Sequence, residues 1–143
     1  MSELDLSLFG DDHVRRYVET GGEVGHDWNG VGTLVLTTTG RRSGEPRRSA
    51  MIYGRDGDAV VVIASQGGAP THPAWYRNLT ADPSVEVQVR GDRFAATART
   101  AEGEERARLW SLMTSIWPRF DDYQARTERV IPVVVLERVG ADR

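Results

Sequence analysis

The chain has 143 residues, 39% hydrophobic and 27% charged, with a formal charge of −3 and no cysteine. That length suits one domain with a single core. The lack of cysteine excludes disulfides, thiolate chemistry and cysteine-held zinc, and the acidic balance argues against a general nucleic-acid binder. All 18 positive charges are arginine, so lysine Schiff-base and P-loop chemistry are excluded as well.

Residues 12–19 read as a short helix, followed by a glycine-rich loop. Thr33–Thr39 is rich in β-branched residues and predicts a strand. Residues 40–46 form a turn, and residues 47–54 a second strand. An Asp-Gly signal at 55–58 then leads into residues 59–65, apolar enough for burial on both faces. Residues 66–73 are a loop, with Pro73 placed to start a helix over 74–82 that ends before Pro83. Residues 84–90 alternate as a half-buried strand. Gly91-Asp92 is the expected turn into a strand over 93–100. The clearest helix is 103–117, with Leu109, Leu112, Met113 and Ile116 on one stripe. Thr100 is its expected N-cap, and Glu102, Glu104 and Glu105 suit the positive end of its dipole. Pro118 ends it, a second short helix follows over 119–129, and 131–139 is a last strand.

Six strands joined mostly by short turns predict a mainly β (α+β) fold. It is a closed or partly open barrel of about six mostly antiparallel strands, with helices outside. The expected organisation is a helix and loop over 1–30 as a candidate lid, the barrel over 31–139, and a tail over 140–143. No apolar run approaches the ~20 residues of a membrane span, and no signal peptide is evident at the start. A cytoplasmic location is the default, with contact at a membrane surface as the other option.

Three constellations could carry chemistry. The first is the turn holding Arg41, Arg42, Arg47 and Arg48. Arginine grips phosphate or carboxylate in a bidentate fork, and Ser43, Thr37, Thr38 and Thr39 add hydroxyls. Gly40 and Gly44 let a ligand approach the backbone. A solvated basic turn fits the same residues.

The second is Ile63 to Asn78. There a buried strand ends in Ala64 and Ser65, then Gln66 and two glycines precede a helix opened by Trp75 and Tyr76. Small residues at the strand end leave room for a flat ring, and helix-start amides accept an anion. A crossover loop whose aromatics fill the core is the alternative. His13, His26 and His72 show no metal-ligand spacing.

The third is Trp117, Phe120 and Tyr123. They recur every three residues, as an aromatic wall over a substrate or as a core stripe. Tyr123 would be a proton donor. Dinucleotide-binding, Walker, nucleophile-elbow and zincin motifs are absent.

The segments LTTTGRRSGEPR, ASQGGAPTHPAWYRNL, VQVRGDRFAATARTAEGEERARLW and DDYQARTERVIPVVVLE, in this order, resemble the deazaflavin-dependent nitroreductase and quinone reductase family. Its members are actinobacterial split β-barrels that use reduced coenzyme F420. The resemblance implies hydride transfer from the reduced deazaflavin to a small-molecule acceptor: a quinone, an enone or a nitroaromatic. It implies a phosphate- and tail-binding turn at Arg41, Arg42, Ser43, Arg47 and Arg48. It places ring-binding positions at Ser49, Ala50, Met51, Ile52, Ile63, Ala64, Ser65, Gln66, Ala74, Trp75, Tyr76, Arg77 and Asn78.

Phe120 lies in the substrate-side aromatic segment, and Trp117, Ser65 and Tyr123 are the candidate catalytic residues. The family often has lysine at the positions of Arg42 and Gln66. Well-known nitroimidazole-reducing members have tyrosines at Trp117 and Phe120, so Tyr123 is the one phenol here. Two other readings fit the residues: an FMN oxidoreductase of the pyridoxamine-oxidase-like barrels, and a non-catalytic deazaflavin or tetrapyrrole carrier. Barrels of this group often pair as homodimers.

Overall fold

The computed structural model describes residues 11–28 and 30–139. Residues 1–10 of the expected lid and the tail 140–143 lie outside the described residues. Helix α1 (Asp11–Thr20) and a two-residue strand β1 (Asp27–Trp28) precede β2 (Val31–Thr39), β3 (Pro46–Asp56) and β4 (Ala59–Ile63). A 3₁₀ turn over Gln66–Gly68 leads to α2 (Ala74–Ala81), then β5 (Ser84–Val89) and β6 (Asp92–Thr100). Helices α3 (Gly103–Ile116) and α4 (Arg119–Ala125) complete the chain with β7 (Val133–Arg138).

Six of these strands close a barrel in the order β2–β3–β4–β7–β6–β5, and β5 pairs back onto β2. Every neighbouring pair is antiparallel. The expected barrel is therefore present, and it is closed. Strand β1, which sequence reading placed in a loop, pairs with β2 through Asp27↔Gly32 and Trp28↔Val31. It is too short to carry a periodic signal of its own.

Alternation along the strands sorts side chains into two layers. Leu34, Leu36, Met51, Val60, Val62, Val85, Val87, Val134 and Leu136 fill the interior, joined by Leu79 of α2. Ile52, Val61, Ile63, Val133 and Val135 face outward and meet Leu109 and Met113 of α3 with Trp117 and Phe120. Strands β4 and β7 are thus apolar on both faces, which for β4 the run at 59–65 predicts. Each large side chain buried this way contributes about 1.5–3 kcal/mol. Gly54 lets α3 approach, because a Cβ there would lie 2.7 Å from Met113 Sδ.

Helix α1 packs on the outer wall through Val14 and Tyr17, against Val35 of β2. Tyr17 is fully buried. It donates to Thr33 O at 2.8 Å and accepts from Arg90 N at 2.7 Å. Burial raises its pKa above the ordinary phenol value.

That contact shifts the expected turn between β5 and β6. Arg90, not Asp92, turns the chain with Gly91, at φ +54°, and Asp92 already pairs with Val89. Two helix expectations are also corrected. Glu102, not Thr100, holds the N-cap position of α3, because Thr100 still belongs to β6 and bonds Tyr76 Oη at 2.8 Å. Helix α4 ends at Ala125, and residues 126–132 form a loop.

Candidate functional site

The arginine turn lies where β2 hands the chain to β3. Gly40 N donates to Glu45 O and Gly44 N to Gly40 O, each at 2.8 Å, which closes the turn. Ser43 Oγ accepts from Glu45 N at 3.1 Å and from Arg47 Nη2 at 3.4 Å. Arg41 is tied to α2, because Asn78 Oδ1 accepts from its backbone N at 3.2 Å and its Nη1 at 3.3 Å. Asn78 is buried, and its Nδ2 donates to Thr38 Oγ1 at 3.1 Å. Thr38, a hydroxyl expected at the ligand, is spent on positioning Asn78.

Between this turn and the start of α2 is a cleft of about 360 Å³, lined by Gly40, Arg41, Arg42, Ser43, Arg47, Arg48, Ser49, Ala74, Trp75 and Asn78. The predicted phosphate- and tail-binding residues Arg41, Arg42, Ser43, Arg47 and Arg48 thus meet Ser49, Ala74, Trp75 and Asn78 of the predicted ring-binding positions. The charge is left open. Arg99, Arg108 and Arg138 are each bonded to a carboxylate, from Glu105, Asp56 and Asp92 respectively. Among the described residues no carboxylate pairs with Arg41, Arg42, Arg47 or Arg48.

Register separates the two ends of this cluster. Arg47 stands opposite Thr38, in line with the interior-facing residues, and Arg48 stands opposite Thr37. Both border a second groove with Val14, Arg15 and Val18 of α1, and Arg48 without Arg47 lines a small recess beside Val35, Thr37 and Gln88.

The other predicted ring-binding positions are dispersed. Met51 packs inside the barrel, while Ile52 and Ile63 pack beneath α3 and α4. Ala50 meets α1, and Ala64 is fully buried. Tyr76 packs on the interior cluster, while Arg77 is exposed.

Ser65 is 8% exposed, and Gln66 follows it at φ +46°. The loop they begin is held by Arg129, which sequence reading did not single out. Arg129 donates to Ala69 O at 2.8 Å, Ser65 O at 2.7 Å, Ala64 O at 3.2 Å and His72 Nδ1 at 2.9 Å. Its one sequence signal was an arginine beside Glu128 in a polar stretch, which reads as surface.

The aromatic segment divides. Trp117 and Phe120 are 7% and 4% exposed and belong to the outer core, so the expected wall is corrected to a core stripe at these two positions. Helical turns put them beneath α3, where Trp117 meets Trp28 at 5.3 Å between ring centroids and Phe120 meets Trp110 at 6.4 Å. Tyr123 alone is half-exposed. Trp117 Nε1 donates to its hydroxyl at 3.4 Å. Its backbone lies against the 3₁₀ turn, since a Cβ on Gly68 would sit 2.6 Å from Tyr123 O.

The family profile described as F420H(2)-dependent quinone reductase matches residues 11–138. An F420H(2)-dependent quinone reductase of Mycobacterium tuberculosis is 43% identical over 130 residues, 88% of this chain and 87% of that protein. The chain belongs to this family. Two solved structures agree with that membership. An F420-H2 dependent reductase, FDR-A, superposes with a TM-score of 0.69 at 39% identity, over 73% of this chain and 93% of its own. A domain-swapped dimer gives 0.72 at 36% identity, over 88% and 98%. The family match begins with the first residue of α1 and ends with the last of β7, so it takes in the helix on the outer wall as well as the barrel.

Proposed function

We propose that this protein transfers a hydride from reduced coenzyme F420 to a quinone or a related activated acceptor. The observation that carries this reading is the cleft whose arginines have no carboxylate partner among the described residues, on an acidic chain. Coenzyme F420 bears a phosphodiester and a glutamate tail, and a row of guanidinium groups beside Ser43 suits such a ligand. When bound, the reduced deazaflavin supplies the hydride, which the acceptor takes up with a proton.

The chain's own groups divide the remaining work. Arg41, Arg42 and Arg47 bind the anionic portion, and Arg48 flanks it. Asn78 holds Arg41 in place without cancelling its charge. Ser49, Ala74 and Trp75 form the wall along which the ring portion lies, and Ser65 and Gln66 present their backbone at its polar edge. Tyr123 is the proton donor, since the bond it accepts from Trp117 leaves its own O–H available. Trp117 orients that hydroxyl and does not touch the acceptor. Quinones and enones are the expected acceptors, ahead of nitroaromatics. The protein works in the cytoplasm as a homodimer; a relative that forms a domain-swapped dimer supports the pairing.

The test mixes purified protein, reduced coenzyme F420 and menadione under anaerobic conditions. Oxidised-coenzyme absorbance should grow only when protein and acceptor are both present. No growth, together with no coenzyme binding by titration, overturns the proposal. A yellow protein that retains FMN through purification would do so as well.

A further inference from the structure

Arg129 lies in the loop before β7, far in sequence from the connection it holds. Ala64, Ser65, Ala69 and His72 span that connection from β4 to α2, and all four offer acceptors to one guanidinium. Among the described residues no carboxylate pairs with Arg129. Its charge is therefore spent on neutral oxygens and one ring nitrogen.

A trans peptide points its C=O and N–H in opposite directions. With the carbonyls of Ala64 and Ser65 drawn to Arg129, the amides of Ser65 and Gln66 are turned the other way. The geometry points to Arg129 as a positioning residue: it fixes the direction of the Ser65 and Gln66 amides and the entry to α2, and so prepares the coenzyme site. This rests on the coenzyme reading above.

His72 makes the clamp sensitive to protonation. Its Nδ1 faces Arg129, so the neutral ring must carry its proton on Nε2 for this bond to form. The groups around it are Arg129 from the loop before β7, and Arg77 and the Tyr76 ring, 5.0 Å away, from α2. None is acidic, and burial with these two cations pulls the His72 pKa down. A protonated His72 cannot accept from Arg129.

The experiment has two readouts on the full chain. Amide hydrogen exchange is followed over residues 64–73 in the wild type and Arg129→Lys, and coenzyme F420 affinity is measured by fluorescence titration. Lysine cannot reproduce a planar fork, so exchange in this loop should rise about tenfold while the strands stay protected. Coenzyme affinity should fall about tenfold, with a much smaller change in kcat at saturation. Unchanged exchange overturns the clamp, and faster exchange with unchanged affinity overturns its positioning role.

Should Arg129→Lys not fold, His72→Asn decides. Wild-type affinity should weaken on acidification below about pH 6.5, and the variant should be flatter. Equal profiles overturn the proposal. A wild type that binds no deazaflavin would remove the coenzyme reading, and with it the positioning role, while the exchange readout still decides the clamp.

Discussion

Asn78 Oδ1 accepts two hydrogen bonds from the same residue, the backbone N–H and the Nη1 of Arg41. A neutral amide therefore orients a cation at the cleft and leaves its charge for a ligand. Asn78→Asp would keep the shape and allow the same bonds, because the Thr38 hydroxyl can reverse and donate. It would also set a carboxylate against Arg41. Coenzyme affinity should drop about tenfold, or about 1.4 kcal/mol, and become less salt-dependent. In an Arg41→Ala background the same change should cost much less, which a double-mutant cycle of titrations checks.

Arg47→Ala removes a charged donor from the same cleft. Charge-assisted hydrogen bonds contribute about 1.5–3 kcal/mol, so affinity should fall by about tenfold or more. Inorganic pyrophosphate should compete with the coenzyme in the wild type and compete less well in the variant. Arg138→Ala, on the far wall and bonded to Asp92, serves as the control and should leave both titrations unchanged.

Tyr17→Phe keeps the ring and deletes one hydroxyl that satisfies Thr33 O and Arg90 N. Leaving those groups without their partner should lower stability by about 1–3 kcal/mol. Urea unfolding checks this, with the midpoint moving and the m-value unchanged.

Gly68→Ala should harm the site more than the barrel. Gly68 has φ +85°, and an added Cβ would sit 2.6 Å from Tyr123 O. Strain of about 1–3 kcal/mol must be relieved by moving the 3₁₀ turn or α4. Turnover should fall several-fold, while far-ultraviolet circular dichroism stays that of the wild type.

Acid should weaken the fold in two stages. Burial, then Arg129 and Arg77, hold the His72 pKa below its ordinary 6.5, so the unfolded chain takes up this proton first. Stability is then independent of His72 above about pH 6.5, and it is lost as pH falls from there towards the lower folded-state pKa. Asp56 and Glu105 are held below the usual carboxylate range by their bonds to Arg108 and Arg99. Their contribution is present above about pH 4 and is lost below it. Urea midpoints measured across this range should fall in both windows, with the upper step missing in His72→Asn.

Much of the barrel was legible because its signals are local. The alternation of Val85, Val87 and Val89, the Asp-Gly turn after β3 and the stripe Leu109–Met113 each announce an element. The arginine turn was legible for the same reason. What escaped depends on partners distant in sequence. Arg90 takes a left-handed conformation while Tyr17, 73 residues away, holds its amide. Arg129 looks like a surface residue until the loop from Ala64 to His72 folds onto it. The stripe Trp117, Phe120 and Tyr123 has the same spacing whether it lines a pocket or a core, so burial had to decide between them.

The ring of strands is joined unevenly. β2 meets β3 from Thr33 to Thr39, but it meets β5 only through Val35↔Gln88, Leu36↔Val87 and Thr37↔Glu86. While that short seam holds, neither strand offers an open row of N–H and C=O groups to another molecule. Were it to part, the barrel would become a curled ribbon with two sticky margins. Resistance to aggregation therefore depends on three rungs near Leu36, where a substitution could make the protein insoluble without touching the cleft.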